Sequence, residues 1–370
     1  MKIIAIPELS DSIVIDKCTS GIGNQELRNR INEVYMYIIR DGQLYREKAE
    51  SNELHTLLPV NINDDELALG RVTKKELTSL YTNYLVGKTK PGREIYDALM
   101  VRAPLCRCPF CGLNHVSTLD HFLPKTKYPS LSVIPVNLVP SCKDCNTGKS
   151  STVATAASSQ PLHPYFDREP FQTDQWLFAR VIDSQPMTLT YEIFPPNDWS
   201  SENKKRVEAH FDDFNLYLRY SIEAANELAS QEYTFNKYIQ SRDYDSLLSD
   251  LEERYCSHER LSINSWQTAF YKALLGFYRN KFEPPKLTPW LETGSEIKSC
   301  PRCLGKMRIL GSSCDACNGV GVATASHFIS LGDSVYDPVI CDCPDGFLNC
   351  RICYSSGKVD LERARSIVME

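Results

Sequence analysis

The sequence predicts an α+β, mainly helical multidomain protein whose fold depends in part on bound metal. Three observations support this. Apolar residues recur at helical spacing over much of the chain, a few stretches alternate as strands do, and 15 of the 370 residues are cysteine. The length favours roughly two to three domains. The 42% hydrophobic and 24% charged shares are those of an ordinary globular chain.

Helical periodicity predicts helices over 24–48, over Thr73 to Val86 and over Arg93 to Val101, and a largely helical segment over 200–282. Between them, Trp176 to Ile182 and Met187 to Ile193 alternate like the strands of a hairpin. A proline-rich stretch at 283–289 indicates a linker. We therefore predict four regions: 1–104 helical, 105–165 a compact central module, 166–285 a hairpin with a helical body, and 286–370 a cysteine-rich domain.

Most of the cysteines occur in pairs. The six close pairs are 108/111, 142/145, 300/303, 314/317, 341/343 and 350/353. No apolar run is long enough for a membrane span or a signal peptide, so we expect a cytoplasmic protein. In that compartment paired cysteines indicate zinc rather than disulfides, and twelve thiolates suffice for about three structural zinc ions. Cys18, Cys106 and Cys256 remain, and we expect them to be buried as small apolar residues, although Cys106 is close enough to Cys108 to compete for metal.

The central module carries the chemistry. Two Cys-x-x-Cys knuckles, Cys108/Cys111 and Cys142/Cys145, enclose an Asp120-His121 pair and Asn137, and Asn146 follows the last cysteine. We expect the pair to end a strand over Val116 to Phe122. A second strand would return over Ser132 to Val139, and a helix would begin near Ser141.

These residue types suit phosphodiester hydrolysis. A neutral His121 can act as the general base that activates water. Asp120 and Asn146 offer oxygen ligands to a catalytic Mg²⁺ or Mn²⁺. Asn137 would orient His121 through hydrogen bonds. Zinc on Cys108, Cys111, Cys142 and Cys145 would hold the module together.

This arrangement resembles the HNH, or ββα-metal, nucleases. In that family an Asp-His pair supplies a metal ligand and the base, a middle Asn aligns the base, and a third His or Asn binds the metal. The match here is Asp120, His121, Asn137 and Asn146, and the final Asn departs from the eponymous His. The segment from Asp120 to Lys125 is also similar to HNH nucleases of bacterial antiphage systems, such as the Septu nuclease partner, which implies a partner ATPase and a role in defence.

Charge suggests where nucleic acid would bind. The whole chain has a formal charge of −6, but residues 101–150 hold six cations against two carboxylates. A local basic patch can engage phosphates although the protein as a whole is acidic. We expect phosphate contacts from Lys125, Lys127 and Lys149.

The cysteine-rich tail resembles the zinc domain of DnaJ chaperones, with its four Cys-x-x-Cys units. That resemblance implies one zinc on Cys300, Cys303, Cys350 and Cys353 and another on Cys314, Cys317, Cys341 and Cys343. Nearest-neighbour pairing is the alternative, and His327 could replace a ligand of the short third unit. A closed four-thiolate site is structural, so we expect the tail to dock a protein partner, with nucleic-acid binding as the second choice.

The sequence therefore predicts a metal-dependent HNH endonuclease acting on nucleic acid, with DNA ahead of RNA and no membrane association. Two alternatives stay open at this point. The chain could be a catalytically silent zinc adaptor, or a nuclease directed to RNA such as tRNA, because hydrolysis by an external water needs no 2′-hydroxyl.

Overall fold

The computed structural model describes residues 2–148 and 153–282, together with four short strands between 297 and 324. Ile297–Ser299 pairs antiparallel with Val322–Thr324, and Arg308–Ile309 pairs with Ser312–Ser313. The predicted linker, all eight paired tail cysteines, His327 and Lys149 lie outside the described residues.

The chain divides into two compact units. The larger comprises Met1–Glu232 and Arg254–Phe270, and the smaller comprises Tyr233–Glu253 and Tyr271–Glu370. The larger unit contains the whole central module. The four regional boundaries inferred from sequence stay a prediction.

The N-terminal part of the larger unit is mainly helical. Helix α1 spans Asp11–Ser20, α2 spans Gln25–Glu50, α3 spans Lys74–Ser79 and runs on as a π-helical turn over Leu80–Leu85, and α4 spans Arg93–Met100. The short strands β1 (Leu67–Leu69) and β2 (Val72–Thr73) pair antiparallel. The predicted helices are confirmed within a few residues, whereas α1 was not predicted.

The first strand of the central module is confirmed, but the second was predicted in the wrong place. Strand β3 spans Thr118–His121 and pairs antiparallel with β4, Leu138–Ser141, and helix α5 follows at Lys143–Gly148. Of the segment predicted as the second strand, Ser132 to Val139, only Leu138 and Val139 belong to β4, and Pro135–Asn137 forms a 3-10 turn. Another 3-10 turn, Pro129–Leu131, precedes the segment. Each turn begins with a proline, which has no N–H to donate to a strand partner.

The rest of the described chain follows the predicted order. Strands β5 (Leu177–Ile182) and β6 (Thr188–Ile193) form the predicted hairpin. Four helices come next: α6 Ser201–Asp213, α7 Leu216–Ser241, α8 Tyr244–Leu261 and α9 Trp266–Phe282. Among the described residues, no helix has the length and apolar character needed to cross a membrane.

The strand pair β3–β4 is buried on all sides. Helix α4 packs against both strands, and helices α2 and α3 contact the turn Pro129–Leu131 that connects them. The Tyr165 hydroxyl donates to the carbonyl oxygen of Leu138 at 2.8 Å. The helical body around the module therefore positions its described part, which consists mainly of two short strands and one short helix.

A buried ion pair lies close to the module. Arg206 on α6 donates to both carboxylate oxygens of Asp167, at 2.8 and 2.6 Å, and the two side chains are 0% and 1% exposed. Asp167 also accepts from the backbone N–H of His163, and the ring of Phe122, next to His121, stacks on His163. The Arg206–Asp167 ion pair therefore stabilises His163, against which Phe122, the residue after β3, packs.

We expect Arg206→Met to lower the free energy of unfolding by about 3–5 kcal/mol, because it leaves the Asp167 carboxylate buried without its counter-ion. The matched control is Arg71→Met, which breaks the exposed pair with Glu33 and should leave stability unchanged. Urea unfolding followed by circular dichroism measures both. Equal effects of the two substitutions would show that the buried pair has no special role.

Candidate metal centre and active site

Four cysteines meet in one buried cluster. The sulfur atoms of Cys108, Cys111, Cys142 and Cys145 all lie within 4.8 Å of one another, and all four residues are buried. Cys111 and Cys142, from different knuckles, have their sulfur atoms 3.9 Å apart. Four thiolates at the Zn–S distance of 2.3 Å would be separated by about 3.8 Å. The cluster can therefore hold a metal such as zinc.

The backbone of each knuckle points N–H groups at the sulfur atoms. The N–H of Leu113 donates to Cys111 Sγ, and the N–H of Cys145 donates to Cys142 Sγ, both at 3.4 Å. The first knuckle turns sharply at Gly112, which has a φ of +69°, a conformation that favours glycine. These donors stabilise negative sulfur, which is the form that binds metal. Hydrogen bonding from Cys108 is the largest of the causes that lower the pKa of Cys142 to about 7.

A cation from helix α7 lies against the second knuckle. Arg219 directs Nη1 at Cys145 Sγ (3.3 Å) and Nη2 at Cys142 Sγ (3.9 Å), and Nη2 also lies 3.8 Å from the Asp144 carboxylate. Burial would lower the pKa of Arg219, but the hydrogen bond to Cys145 and the charges of the cluster raise it. A zinc ion with four thiolates carries a net charge of −2, so Arg219 offsets part of that buried charge.

Helices α6 and α7 also hold the first knuckle. His210 Nε2 donates to the carbonyl oxygen of Phe110 at 2.9 Å, and the Tyr220 hydroxyl donates to that of Cys111 at 2.9 Å. Burial is the main cause that lowers the pKa of His210, to about 3, so its ring stays neutral. No local sequence pattern indicates these contacts, because the partners are 100 or more positions apart in the chain.

We expect Arg219→Leu to speed the loss of zinc by about 10–100-fold, the range seen when an outer-shell partner of a metal ligand is removed. Transfer of zinc to a chromophoric chelator measures the rate. Arg219→Lys keeps the charge but not the forked geometry and should give an intermediate rate. Arg40→Leu, at an exposed arginine of α2, is the control. Identical release from all four proteins would rule out a role for Arg219 at the cluster.

The strand pair joins the cysteine cluster to the predicted catalytic pair. Thr118 of β3 lies opposite Ser141 of β4, beside the second knuckle, and His121 lies opposite Leu138 at the other end. Four residues of a strand advance about 10 Å. The metal cluster and His121 therefore lie at opposite ends of one short ladder, so the cluster can fix the ladder without being part of the chemistry.

The hydrogen bond of His121 defines its tautomer. His121 Nε2 lies 2.8 Å from the carbonyl oxygen of Ser132. A carbonyl oxygen only accepts, so Nε2 carries the proton and the lone pair of the neutral ring is on Nδ1. The Ser132 hydroxyl donates to the carbonyl oxygen of Leu77 in α3, which fixes the acceptor in turn. His121 is thus held in one orientation with a basic nitrogen at Nδ1.

Asn137 holds the segment that follows the Asp120-His121 pair. Its amide donates to the carbonyl oxygens of Leu123 and Leu131, both at 3.1 Å, and its Oδ1 accepts from the N–H of Leu123 at 2.7 Å. Its backbone carbonyl accepts from the N–H of Phe122. Asn137 is 0% exposed. Asn137 therefore holds the backbone of Phe122 and Leu123, the two residues that follow His121.

The two proposed ligands of the catalytic metal lie on adjacent elements. Asp120 precedes His121 in β3 and is 6% exposed, while Asn146 lies half-buried on α5, which packs against β3. Burial is the main cause that raises the pKa of Tyr81, and the charges of Tyr96 and Asp120 raise it further. The structure therefore brings the elements that carry the two oxygen donors together.

Two of the three predicted phosphate-binding lysines, Lys125 and Lys127, lie among the described residues, and their surroundings differ. Lys125 Nζ lies 4.7 Å from the centre of the Tyr81 ring, and the same ring packs edge-on against His121 with 4.4 Å between centroids. Lys127 donates to Asn61 Oδ1 at 2.6 Å. Of these two described lysines, Lys125 is linked to His121 by contacts through Tyr81, a residue that the sequence pattern did not single out.

One comparison with known proteins is informative. The chain is 31% identical over 287 residues to protein Ea31 of Escherichia phage lambda, a match that covers 74% of this chain and 97% of the phage protein. The chain belongs to the Ea31 family. Because 287 aligned residues far exceed the central module, the Ea31 relationship includes much of the helical body as well. No protein-family profile and no solved structure matches the chain.

Proposed function

We propose that this Ea31-family chain is a metal-dependent endonuclease that hydrolyses phosphodiester bonds, with DNA as the expected substrate. The observation that carries the proposal is the hydrogen bond from His121 Nε2 to Ser132. It gives a buried histidine a defined tautomer with the basic nitrogen at Nδ1, as a general base requires. The Ser132 hydroxyl donates in turn to the Leu77 carbonyl oxygen, which holds in place the residue that accepts from His121. A histidine that only ended a strand would not need this second hydrogen bond.

The two oxygen donors proposed for the catalytic metal suit a hard divalent ion. A carboxylate from Asp120 and an amide oxygen from Asn146 are the ligand types that Mg²⁺ and Mn²⁺ prefer, and both ions keep several water ligands. When bound, such an ion supplies charge stabilisation at the phosphate and the leaving oxygen. The sulfur cluster, in contrast, is closed by four soft ligands, so its metal has a structural role.

Each residue then has a separate task. His121 Nδ1 accepts the proton of the attacking water. Asn137 positions the His121 backbone and has no contact with substrate. Lys125, whose pKa is lowered by burial, approaches the site over the Tyr81 ring and would attract a phosphate.

We expect His121→Ala to reduce the rate of cleavage by about 10²–10⁴-fold without changing the zinc content, because the base is not a ligand of the sulfur cluster. Loss of the buried hydrogen bond to Ser132 should lower the melting temperature without unfolding the protein at the assay temperature. The matched control is His115→Ala, at an exposed histidine of the same module. Single-turnover cleavage of plasmid DNA with Mg²⁺ measures both. Near-normal cleavage by His121→Ala would refute the assignment of the base.

We expect Cys142→Ser to lose one equivalent of zinc relative to the unmodified chain, whatever the tail binds, and to unfold the central module. Elemental analysis after dialysis gives the difference in zinc, and hydrogen exchange of residues 118–141 reports the order of the strand pair. Cys106→Ser, at an exposed cysteine outside the cluster, is the control. A Cys142→Ser protein that keeps its zinc and its protected strands would contradict the structural role of the cluster.

One observation favours a second candidate, a zinc-stabilised binding module without catalysis. The side chains of Asp120 and His121 are only 6% and 8% exposed. Binding without cleavage in the presence of Mg²⁺ or Mn²⁺ would support that alternative. RNA cleavage, an antiphage role and a partner ATPase docked on the tail remain predictions from resemblance, and the name of the phage relative states no activity.

A further inference from the structure

A cavity lies beside the first cysteine knuckle, and it is separate from the candidate active site. Its volume is about 310 Å³, which is within the range of small-molecule sites, roughly 300–1,000 Å³. Cys111, Gly112 and Leu113 form one side, Tyr220 and Glu223 of α7 form another, and residues from His258 to Gln267 close it. None of the predicted catalytic residues lines it.

The cavity gathers cationic and polar side chains. Lys2, Arg107 and His258 all line it, with Glu223 as the carboxylate. Burial lowers the pKa of Lys2, and the charge of Arg107 lowers it further. Burial also lowers the pKa of His258. The charge of Glu227 raises that pKa, and the charges of Arg254 and Lys2 lower it. The basic groups are thus close enough to repel one another, and an anion between them would relieve that cost.

The rest of the lining suits a planar ring. Trp266 is half-buried in the cavity wall, and its ring can stack on a flat partner. Glu223 can accept hydrogen bonds from an amino group, and the side chains of Ser262 and Gln267 add polar atoms. Cations that can bind phosphate, together with an aromatic ring and a hydrogen-bond acceptor in one cavity, suit the two halves of a nucleotide.

We propose that this cavity binds a nucleotide unit, with its phosphate at Lys2 and Arg107 and its base against Trp266. The unit can belong to a free mononucleotide or to a nucleic-acid strand. Arg107 also donates to the carbonyl oxygen of Leu113, and the cavity wall includes Cys111. Occupancy would therefore stabilise the knuckle, yet binding does not depend on hydrolysis at His121.

Isothermal titration calorimetry on the full chain tests the proposal with three probes: inorganic phosphate, deoxyadenosine monophosphate and a 12-nucleotide single strand. We expect Lys2→Glu to weaken binding of the phosphate-bearing probes at least tenfold. Trp266→Leu should weaken the mononucleotide or the strand but not inorganic phosphate. Lys75→Glu changes the same charge at an exposed position and should have no effect.

The results of the titrations distinguish a free nucleotide from a nucleic-acid strand as the source of the bound unit. Binding of the mononucleotide that depends on Lys2 and Trp266 identifies a free nucleotide, and binding of the strand alone identifies a strand phosphate. The melting temperature of every variant, and the milder substitution Lys2→Gln, show whether a loss of binding comes from misfolding. His121→Ala should bind all probes as the unmodified chain does. Absence of binding at millimolar concentrations, or binding that Lys2→Glu leaves unchanged, overturns the site. Binding indifferent to Trp266→Leu overturns the nucleotide assignment.

Discussion

The meeting of four buried sulfur atoms is the constraint on which the site depends. Cys111 and Cys142 are 31 positions apart, and their contact closes the loop that contains β3, both 3-10 turns and β4. Two four-residue strands are too short to be stable alone. In our account, metal at the cluster fixes one end of this pair, and His121 lies at the other end. The predicted chemistry then needs no large sheet and no deep core of its own.

The helical body around the cluster compensates the negative charge that a four-thiolate zinc site would bury. Four thiolates around zinc leave a buried net charge of −2, which is costly without compensation. Arg219 and the N–H groups of Leu113 and Cys145 point at the sulfur atoms, while His210 and Tyr220 bind the carbonyl oxygens of the first knuckle. Helices α6 and α7 thus hold the knuckles in addition to any metal that the cluster binds.

Sequence reasoning succeeded where spacing alone decides the structure. The two knuckles, the hairpin β5–β6 and helix α2 follow from local patterns, and each was placed within a few residues. It failed where distant residues decide. The strand after Pro135 was misplaced because proline and the Asn137 hydrogen bonds favour a 3-10 turn there. Arg219, Tyr81 and Ser132 carry no motif, since their roles arise only when distant segments meet.

The most direct test of the central claim is a cleavage measurement on protein stripped of hard cations but not of zinc. Gel filtration with a chelator, followed by elemental analysis, prepares that protein, and closed circular DNA and RNA are then supplied with or without Mg²⁺ or Mn²⁺. Our account predicts no cleavage without added cation, cleavage of DNA once either ion is restored, and a constant zinc content throughout. Protein that retains its zinc and folds correctly, yet cuts neither substrate with either ion, would contradict it.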